Sequence, residues 1–239
     1  MTPKGGSAYS EERLIEKPAI ELFSKLGWEP IDAFYETLGP SGTLGRDNQS
    51  EVILQSRLFP ALRKLNPDLP AEAFTQTIEE LTRDRSRMSL AAANREVYQL
   101  LKNGFKARIP DPKGDGDHVE IVRLIDWDNH SNNDFLLVSQ FWVVGEMYRR
   151  RADLVGFVNG IPLLFIELKA VHKNIQTAFT GNLTDYKDTI PHLFWYNALV
   201  ILSNGSEAKV GGVTSEWGHF NDWKKINSEG EEGIISLET

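Results

Sequence analysis

The spacing of the hydrophobic residues changes about halfway along the chain. Up to residue 101, apolar side chains recur every three or four positions in four stretches, a spacing typical of amphipathic helices: 11–26, 52–65, 71–81 and 90–101. Gly27 and Gly104 follow the first and last stretches, where a C-terminal cap belongs. The Gly-, Pro- and Ser-rich segment 36–50 predicts a loop between the first helix and the others.

Beyond a predicted turn at 110–118 the pattern becomes that of β-strands. Alternating or continuous runs of β-forming residues predict five strands: 120–127, 135–144, 152–158, 161–168 and 198–202. Asn159-Gly160 separates two of them and is a strong hairpin signal, and the polar stretch 170–188 predicts a helix. Helices on both sides of a strand-rich segment indicate an α/β or α+β sheet domain, with a helical insertion at about 49–107.

The end of the strand 161–168 carries unusual chemistry for a buried segment. Glu167 and Lys169 stand two positions apart and so share one face of the strand, while Leu164, Ile166 and Leu168 occupy the other. Asp153 lies on the partner strand, with 13 residues between it and Glu167. Two adjacent carboxylates require a cation or a proton, and carboxylates with water are the usual ligands of Mg²⁺. The pattern therefore predicts a magnesium site formed by Asp153 and Glu167, with the ammonium of Lys169 beside it.

The register of the hairpin decides whether this site can form. A regular two-residue turn at Asn159-Gly160 would place Asp153 opposite Ile166 and point it away from Glu167. The metal site therefore requires an odd-numbered loop or a bulge. We expect a three-residue turn, Val158-Asn159-Gly160, with Gly160 left-handed, which would place Asp153 opposite Phe165 and diagonal to Glu167.

At this point the residues resemble a known family. Asp153 followed by Glu167-Leu168-Lys169 matches the D–ExK core of the PD-(D/E)xK nucleases. The surrounding sequence is similar to the N-terminal part of the restriction (motor) subunit of type I restriction-modification enzymes. The matching segments are 151–169, 182–191, 199–205, 93–96 and 223–225. The resemblance covers nearly the whole chain and implies a central mixed sheet flanked by helices.

The resemblance also implies residue roles. Asp153 and Glu167 would be the metal ligands, Lys169 the catalytic lysine, and an acidic residue of the first helix would complete the site. Glu16 is the better match for that acid and Glu12, one turn earlier, the reserve. The family's Gln-x-x-x-Tyr motif corresponds to Asn182 and Tyr186, so the amide is kept but its reach is shortened by one methylene. Ala152 stands where the family usually has Pro.

The implied function is Mg²⁺-dependent cleavage of double-stranded DNA in a restriction system, in complex with modification and specificity subunits. In the family that this chain resembles, an ATP-driven DNA translocase lies C-terminal to the nuclease. No phosphate-binding loop of the G-x-x-x-x-G-K-[ST] type occurs in this sequence. We therefore expect a nuclease domain over 1–226, an acidic linker over 227–239 with four Glu and no basic residue, and ATP binding only in the translocase part.

Composition adjusts this interpretation in two respects. The net charge of −8 argues against a DNA coat protein, but Arg83, Arg85 and Arg87 form one local basic cluster and Arg149–Arg151 another. Arg151, two residues before Asp153, is the candidate for DNA contact. The absence of Cys excludes disulfides, a thiolate nucleophile and Cys-ligated zinc, and it fits a cytoplasmic protein, as does the lack of a signal sequence or membrane-spanning run.

Two other functions remain open from the sequence. One is a stand-alone repair or junction nuclease with the same core, against which the length of the insertion counts. The other is a catalytically silent DNA-binding or assembly module, against which the intact triad counts. Nicking of plasmid DNA in the presence of Mg²⁺ separates a nuclease from a silent module.

Overall fold

The first half of the chain is largely helical, as its periodicity predicts. The computed structural model describes residues 6–110, 116–225 and 234–235. Its helices are α1 (Gly6–Lys25), α2 (Gln55–Leu65), α3 (Ala71–Thr82), α4 (Leu90–Asn103), α5 (Thr184–Thr189) and α6 (Pro191–Phe194). A π-helical turn, Ala178–Leu183, runs directly into α5. Gly27 and Gly104 follow α1 and α4 with positive φ, as expected of residues that end helices.

The strands assemble mainly into one mixed sheet. They are β1 (Glu29–Asp32), β2 (Phe105–Pro110), β3 (Asp117–Val122), β4 (Phe135–Val144), β5 (Arg149–Val158), β6 (Ile161–Leu168), β7 (Leu199–Ser203), β8 (Ala208–Gly211), β9 (Asn221–Asp222), β10 (Lys224–Lys225) and β11 (Ile234–Ile235). The sheet has the order β1-β4-β5-β6-β7-β8-β9, with the β1–β4 and β6–β7 pairs parallel and the others antiparallel. This mixed sheet flanked by helices is the predicted α/β architecture.

Several details differ from the prediction. The strand expected over 120–127 ends at Val122 and pairs with β2 in a separate two-stranded ribbon, and β2 begins inside the predicted helical insertion. Leu124 and Ile125 are buried outside any strand, so their apolar character reflects packing rather than extended structure. The predicted linker 227–239 lies outside the described residues apart from Ile234–Ile235, which pair with Lys224–Lys225. Residues 111–115 of the predicted turn lie outside them as well.

The two faces of the sheet bury separate clusters of side chains. Ile15 and Ala19 of α1 pack against Leu154 and Ile166 on one face. The larger core, on the other face, contains side chains of α2–α6 together with Val155 and Phe165 of the same two strands. Strands β5 and β6 are thus covered on both sides, which explains their nearly continuous apolar sequence.

The β5–β6 hairpin contains a bulge, one of the two solutions that the prediction allows, but its turn differs from the predicted turn. Asn159 and Gly160 both have positive φ (53° and 77°) and form a two-residue turn, with Val158 opposite Ile161. The expected three-residue turn is therefore wrong. A bulge follows instead, because Phe157 pairs with Pro162 whereas Gly156 pairs with Leu164. Leu163 is the extra residue on β6, next to a proline that has no N–H to donate.

The absence of a side chain at Gly156 accommodates this bulge. A Cβ atom there would lie 2.9 Å from the Trp28 ring and 3.0 Å from Cβ of Leu164. Beyond the bulge the register is shifted by one residue, with Leu154 opposite Ile166. A one-residue shift exchanges the faces of all later side chains, so the bulge determines which residues of the two strands lie side by side.

Candidate active site

The shifted register sets Asp153 opposite Glu167. The paired register ends at Leu154 and Ile166, and continuing it by one residue places Asp153 opposite Glu167, where opposed residues of an antiparallel pair point to the same face. The backbone N–H of Leu168 donates a hydrogen bond of 2.8 Å to Oδ2 of Asp153, which fixes that carboxylate against the end of β6. The expectation that the two acids share a face is confirmed, although Asp153 faces Glu167 directly and does not oppose Phe165, which pairs with Val155.

Glu167 is buried, with 1% of its surface exposed, and its side-chain hydrogen bonds go to one of its two carboxylate oxygens. The ammonium Nζ of Lys169 donates to Oε1 at 3.0 Å, and the amide Nδ2 of Asn182 donates to the same oxygen. The other oxygen, Oε2, is buried and has no hydrogen-bond partner among the described residues. Burial, and then the negative charge of Asp153, raise the pKa of Glu167 well above its ordinary value, although Lys169 acts in the opposite direction.

The hydrogen bonds to Glu167 offset only part of the cost of burying its charge, so a bound cation would stabilise it. Burying an ion costs on the order of several kcal/mol, whereas each hydrogen bond to a charged group contributes roughly 1.5–3 kcal/mol. The donors Lys169 and Asn182 occupy only one of the two oxygens. A divalent cation at Oε2 would supply the missing partner and reduce the repulsion from Asp153. The chemistry fits Mg²⁺, which is usually bound through one or two carboxylates and water.

No larger group of metal-ligating residues competes with this pair. The described part of the chain contains no cluster of three or more His, Asp and Glu side chains arranged to hold a metal ion. A site for zinc, which usually takes three or four protein ligands, is therefore absent from these residues.

The π-helical turn brings the two predicted motif residues to the site. Asn182 lies in this turn and reaches Glu167 despite being one methylene shorter than the Gln that the family usually has. Tyr186, in α5, donates its hydroxyl to the backbone oxygen of Arg151 at 2.8 Å. Burial, and then the charges of Glu167 and Asp153, raise the pKa of Tyr186, so its hydroxyl keeps its proton and remains a donor. Single π-helical turns occur frequently at functional sites.

Glu16 lies on α1, which packs on the face of the sheet that carries Leu154 and Ile166, opposite to the face of Asp153 and Glu167. Its carboxylate oxygen Oε2 accepts a hydrogen bond of 2.8 Å from Nε2 of Gln140, a residue of β4. Gln140 was not predicted as a site residue. The available signal was the pair Ser139-Gln140, which is the polar interruption in the apolar sequence of β4. The side chain of Glu12, the reserve candidate, lies outside the described residues.

The two basic clusters differ in their surroundings. Arg85 is buried and its guanidinium contacts Glu96 at 2.8 Å, and Arg83 contacts the same carboxylate at 2.6 Å. These two residues therefore link α3 and α4. In the second cluster Arg150 makes a two-pronged ion pair with Asp185, with contacts of 2.5 and 3.0 Å.

Arg149 and Arg151 have aromatic rather than acidic neighbours. The guanidinium of Arg149 lies 3.8 Å from the centre of the Trp142 ring, and that of Arg151 lies 5.3 Å from the same ring and 5.1 Å from Phe34. Neither makes an ion pair with a carboxylate in the described residues. Stacking orders both groups without neutralising their charge.

Comparison with known proteins agrees with this geometry. Residues 8–219 match the family described as the N terminus of the type I restriction enzyme R protein. The chain belongs to this family. It is 31% identical to the type I restriction enzyme HindI endonuclease subunit of Haemophilus influenzae over 91% of this chain and 21% of the relative. It is 30% identical to the putative MjaIXP endonuclease subunit of Methanocaldococcus jannaschii over 98% of this chain and 22% of the relative.

This R-protein N-terminal chain thus spans about a fifth of the length of these two relatives. A further relative, the SsaAORF53P endonuclease subunit of Staphylococcus saprophyticus, is 31% identical over 41% of this chain. Among the described helices, none has the length and apolar character needed to cross a membrane.

The buried state of Glu167 makes a prediction about pH. A raised pKa means that the folded chain favours the protonated acid, so its stabilising effect is present below pH 4.5 and is lost as the pH rises through the raised pKa. Glu167→Gln imitates the protonated form. With divalent cations chelated, we expect this variant of the R-protein domain to exceed wild type in unfolding free energy at pH 8 by about 1 kcal/mol or more, and to match it near pH 4. Denaturant unfolding at both pH values measures the difference.

Glu29→Gln is the matched control. Arg57 lowers the pKa of Glu29, so its charged form is favoured in the folded chain and its replacement should slightly reduce stability at pH 8. A Glu167→Gln variant less stable than wild type at pH 8 would contradict the unfavourable burial of the charge.

Proposed function

We propose that this chain is the nuclease part of a type I restriction enzyme and cleaves double-stranded DNA with Mg²⁺ as cofactor. Modification and specificity subunits would be its partners and would select the DNA. ATP would act only through a translocase part of the same subunit, outside this chain. The named relatives are endonuclease subunits about five times as long, which supports a division of the subunit into nuclease and other parts.

The observation that carries the proposal is the difference between the two carboxylate oxygens of Glu167. One carboxylate oxygen accepts hydrogen bonds from Lys169 and Asn182, while the other is buried beside Asp153 and has no hydrogen-bond partner among the described residues. A purely structural ion pair has no need for a second carboxylate opposite the first, since the second only raises the cost of burial. A site that receives a cation requires this arrangement.

Asp153 and Glu167 would hold the ion. Bound there, Mg²⁺ would polarise the scissile phosphodiester and lower the pKa of a water molecule. The ammonium of Lys169 would add positive charge where the attacked phosphorus group gains negative charge. Asn182 and the N–H of Leu168 would keep the two carboxylates in position, and Tyr186 would hold the backbone of β5 at Arg151.

The stacked arginines would position the DNA backbone. Arg149 and Arg151 lie four and two residues before Asp153 on the same strand, and both contact the ring of Trp142. Successive positions of a strand are about 3.3 Å apart, so the two charges follow one another toward the site. Ordered guanidinium groups that have no carboxylate partner in the described part of the chain suit phosphate oxygens.

The sequence leaves two alternative functions open, and the family match argues against one of them. A stand-alone repair or junction nuclease is disfavoured by the family match over residues 8–219, which includes α2, α3 and α4 of the insertion. A silent assembly module would retain the fold without cleavage, and mutagenesis decides between it and the nuclease.

The catalytic assignment predicts a shared loss of activity. Asp153→Ala, Glu167→Ala and Lys169→Ala should each reduce cleavage of plasmid DNA by the assembled enzyme at least about 100-fold, because each removes a group that acts on the transition state. Asp185→Ala, which removes a surface carboxylate paired with Arg150, is the control and should retain most activity. Cleavage at wild-type rates by all three site variants would exclude the assignment.

If Arg149 and Arg151 contact DNA phosphates, replacing either of them should change the salt dependence of DNA binding. Each phosphate contact that is lost should lower the slope of log affinity against log salt by about one. We therefore expect Arg149→Ala and Arg151→Ala each to reduce the slope for binding a short duplex without Mg²⁺, measured by fluorescence anisotropy. Arg150→Ala is the matched control, because Asp185 already neutralises Arg150. Equal effects of all three substitutions would indicate nonspecific charge rather than a DNA path.

A further inference from the structure

The loop that follows β6 begins and ends beside Glu167. It starts at Lys169, whose ammonium donates to Glu167, and runs through residues 170–177 into the π-helical turn, where Asn182 donates to the same carboxylate. No Asp or Glu occurs between Glu167 and Asp185, although the whole chain carries 34 acidic residues against 26 basic ones. The segment next to the acid pair therefore lacks the negative side chains that would repel a phosphate.

The side chains of this loop are exposed while its backbone is fixed. Residues 171–174 are all exposed to solvent. Ile175, which follows them, is buried in the larger core, and the N–H of Lys173 donates to the backbone oxygen of Ala170 at 2.8 Å. The loop is thus tied down at both ends of a short exposed stretch, so the side chains of that stretch start from defined positions.

A buried amide just after β7 holds the loop at Lys173. The side chain of Asn204, a residue that is 5% exposed, donates from Nδ2 to the backbone oxygen of Lys173 at 3.0 Å. Its Oδ1 accepts the backbone N–H groups of Ser206 and Glu207, at 3.0 and 2.9 Å. Lys173 itself forms no ion pair with a carboxylate in the described part of the chain. Its position is therefore fixed while its charge is not neutralised.

Lys173 and the stacked arginines lie on opposite sides of the acid pair. Strands β4, β6 and β7 end, and β5 begins, at the same end of the sheet, in the order β4-β5-β6-β7. Arg149 and Arg151 contact Trp142 of β4, whereas Asn204 holds Lys173 beyond the end of β7. Neighbouring strands are about 4.8 Å apart, so roughly 14 Å separates β4 from β7. That span matches about four phosphates of one DNA strand, which follow one another about every 3.4 Å along the helix axis.

We propose that Lys173 binds a DNA phosphate on the β7 side of the acid pair, and that Asn204 is the positioning residue that holds Lys173 there. This inference rests on the proposed function and adds a second contact to the one ascribed to Arg149 and Arg151. The DNA strand would cross the end of the sheet from β4 to β7, with the phosphate to be cleaved between the two positive groups. A lysine ammonium suits this role because it binds a single phosphate as a compact charge.

The alternative is that Lys173 is an ordinary solvated lysine and that Asn204 only closes the turn after β7. In that case the charge of Lys173 would matter no more for DNA binding than that of any other exposed lysine. Lys64 supplies the comparison, because it is exposed and donates to the backbone oxygen of Asn132. The next residue, Asn133, contacts Asn159 of the β5–β6 turn, so Lys64 lies at the other end of the sheet.

The test measures binding of a short duplex without Mg²⁺, by fluorescence anisotropy over a series of salt concentrations. Lys173→Ala should lower the slope of log affinity against log salt by about one. Lys173→Arg, which retains the charge, and the matched control Lys64→Ala should keep the wild-type slope. Asn204→Ala should weaken binding about 3- to 10-fold, the effect of one lost hydrogen bond, and should cause no further loss in the Lys173→Ala background.

A slope for Lys173→Ala equal to that of Lys64→Ala would overturn the inference, as would undetectable duplex binding by the wild-type chain. A loss in Asn204→Ala that adds fully to that of Lys173→Ala would contradict the positioning role of Asn204. Plasmid cleavage by the assembled enzyme separates these failures from failure of the proposed function. If Asp153→Ala abolishes cleavage while Lys173→Ala binds DNA as Lys64→Ala does, only the role of Lys173 is wrong. If Asp153→Ala cleaves at the wild-type rate, the nuclease site itself is wrong.

Discussion

The burial of Glu167 directly opposite Asp153 is the constraint on which the other features of the site depend. The Glu167 carboxylate loses its hydration on burial and is repelled by the negative charge of Asp153. The structure offsets part of that cost with Lys169 and Asn182 on one oxygen of Glu167, and with the N–H of Leu168 on Asp153. The other oxygen of Glu167 has no hydrogen-bond partner in the part of the chain that the structure describes, and a proton or a cation there would offset the remaining cost.

The backbone is irregular where these residues meet. The bulge at Leu163 sets the register of Asp153 against Glu167, the π-helical turn carries Asn182 to Glu167, and the left-handed Gln140 faces Glu16. Each irregularity is unfavourable by itself, and the first two bring polar side chains together at Glu167. Their coincidence is expected of a site whose geometry is selected for chemistry rather than for stability.

The sequence predicts the regular parts of the site well and the irregular parts poorly. Strand β4 was predicted with its observed ends, and β6 likewise, because both are long and apolar. The need for a bulge or odd loop followed from the requirement that two acids share one face. Its position did not, although Pro162 was a usable signal, since a strand proline lacks the N–H that a regular ladder needs.

Other features left weaker signals in the sequence. Strands β1, β8 and β9 have only two to four residues, too few for an alternating pattern to be recognised. The contact between Gln140 and Glu16 joins residues 124 positions apart and depends on a local backbone conformation, so spacing alone could not reveal it. The roles of Glu16, Asn182 and Tyr186 follow from the family resemblance and that of Arg151 from its basic cluster, and all of them stay proposals.

The most direct test of this account is the position of a bound ion. Crystals of the chain soaked in Mn²⁺ should show one anomalous-scattering peak within ligand distance of Asp153 and of Oε2 of Glu167, the oxygen that lacks a hydrogen-bond partner. The same soak of Glu167→Gln crystals should show no peak there. A peak bound elsewhere, or full occupancy in the Glu167→Gln crystals, would contradict the claim that Asp153 and the buried Glu167 together hold a divalent cation.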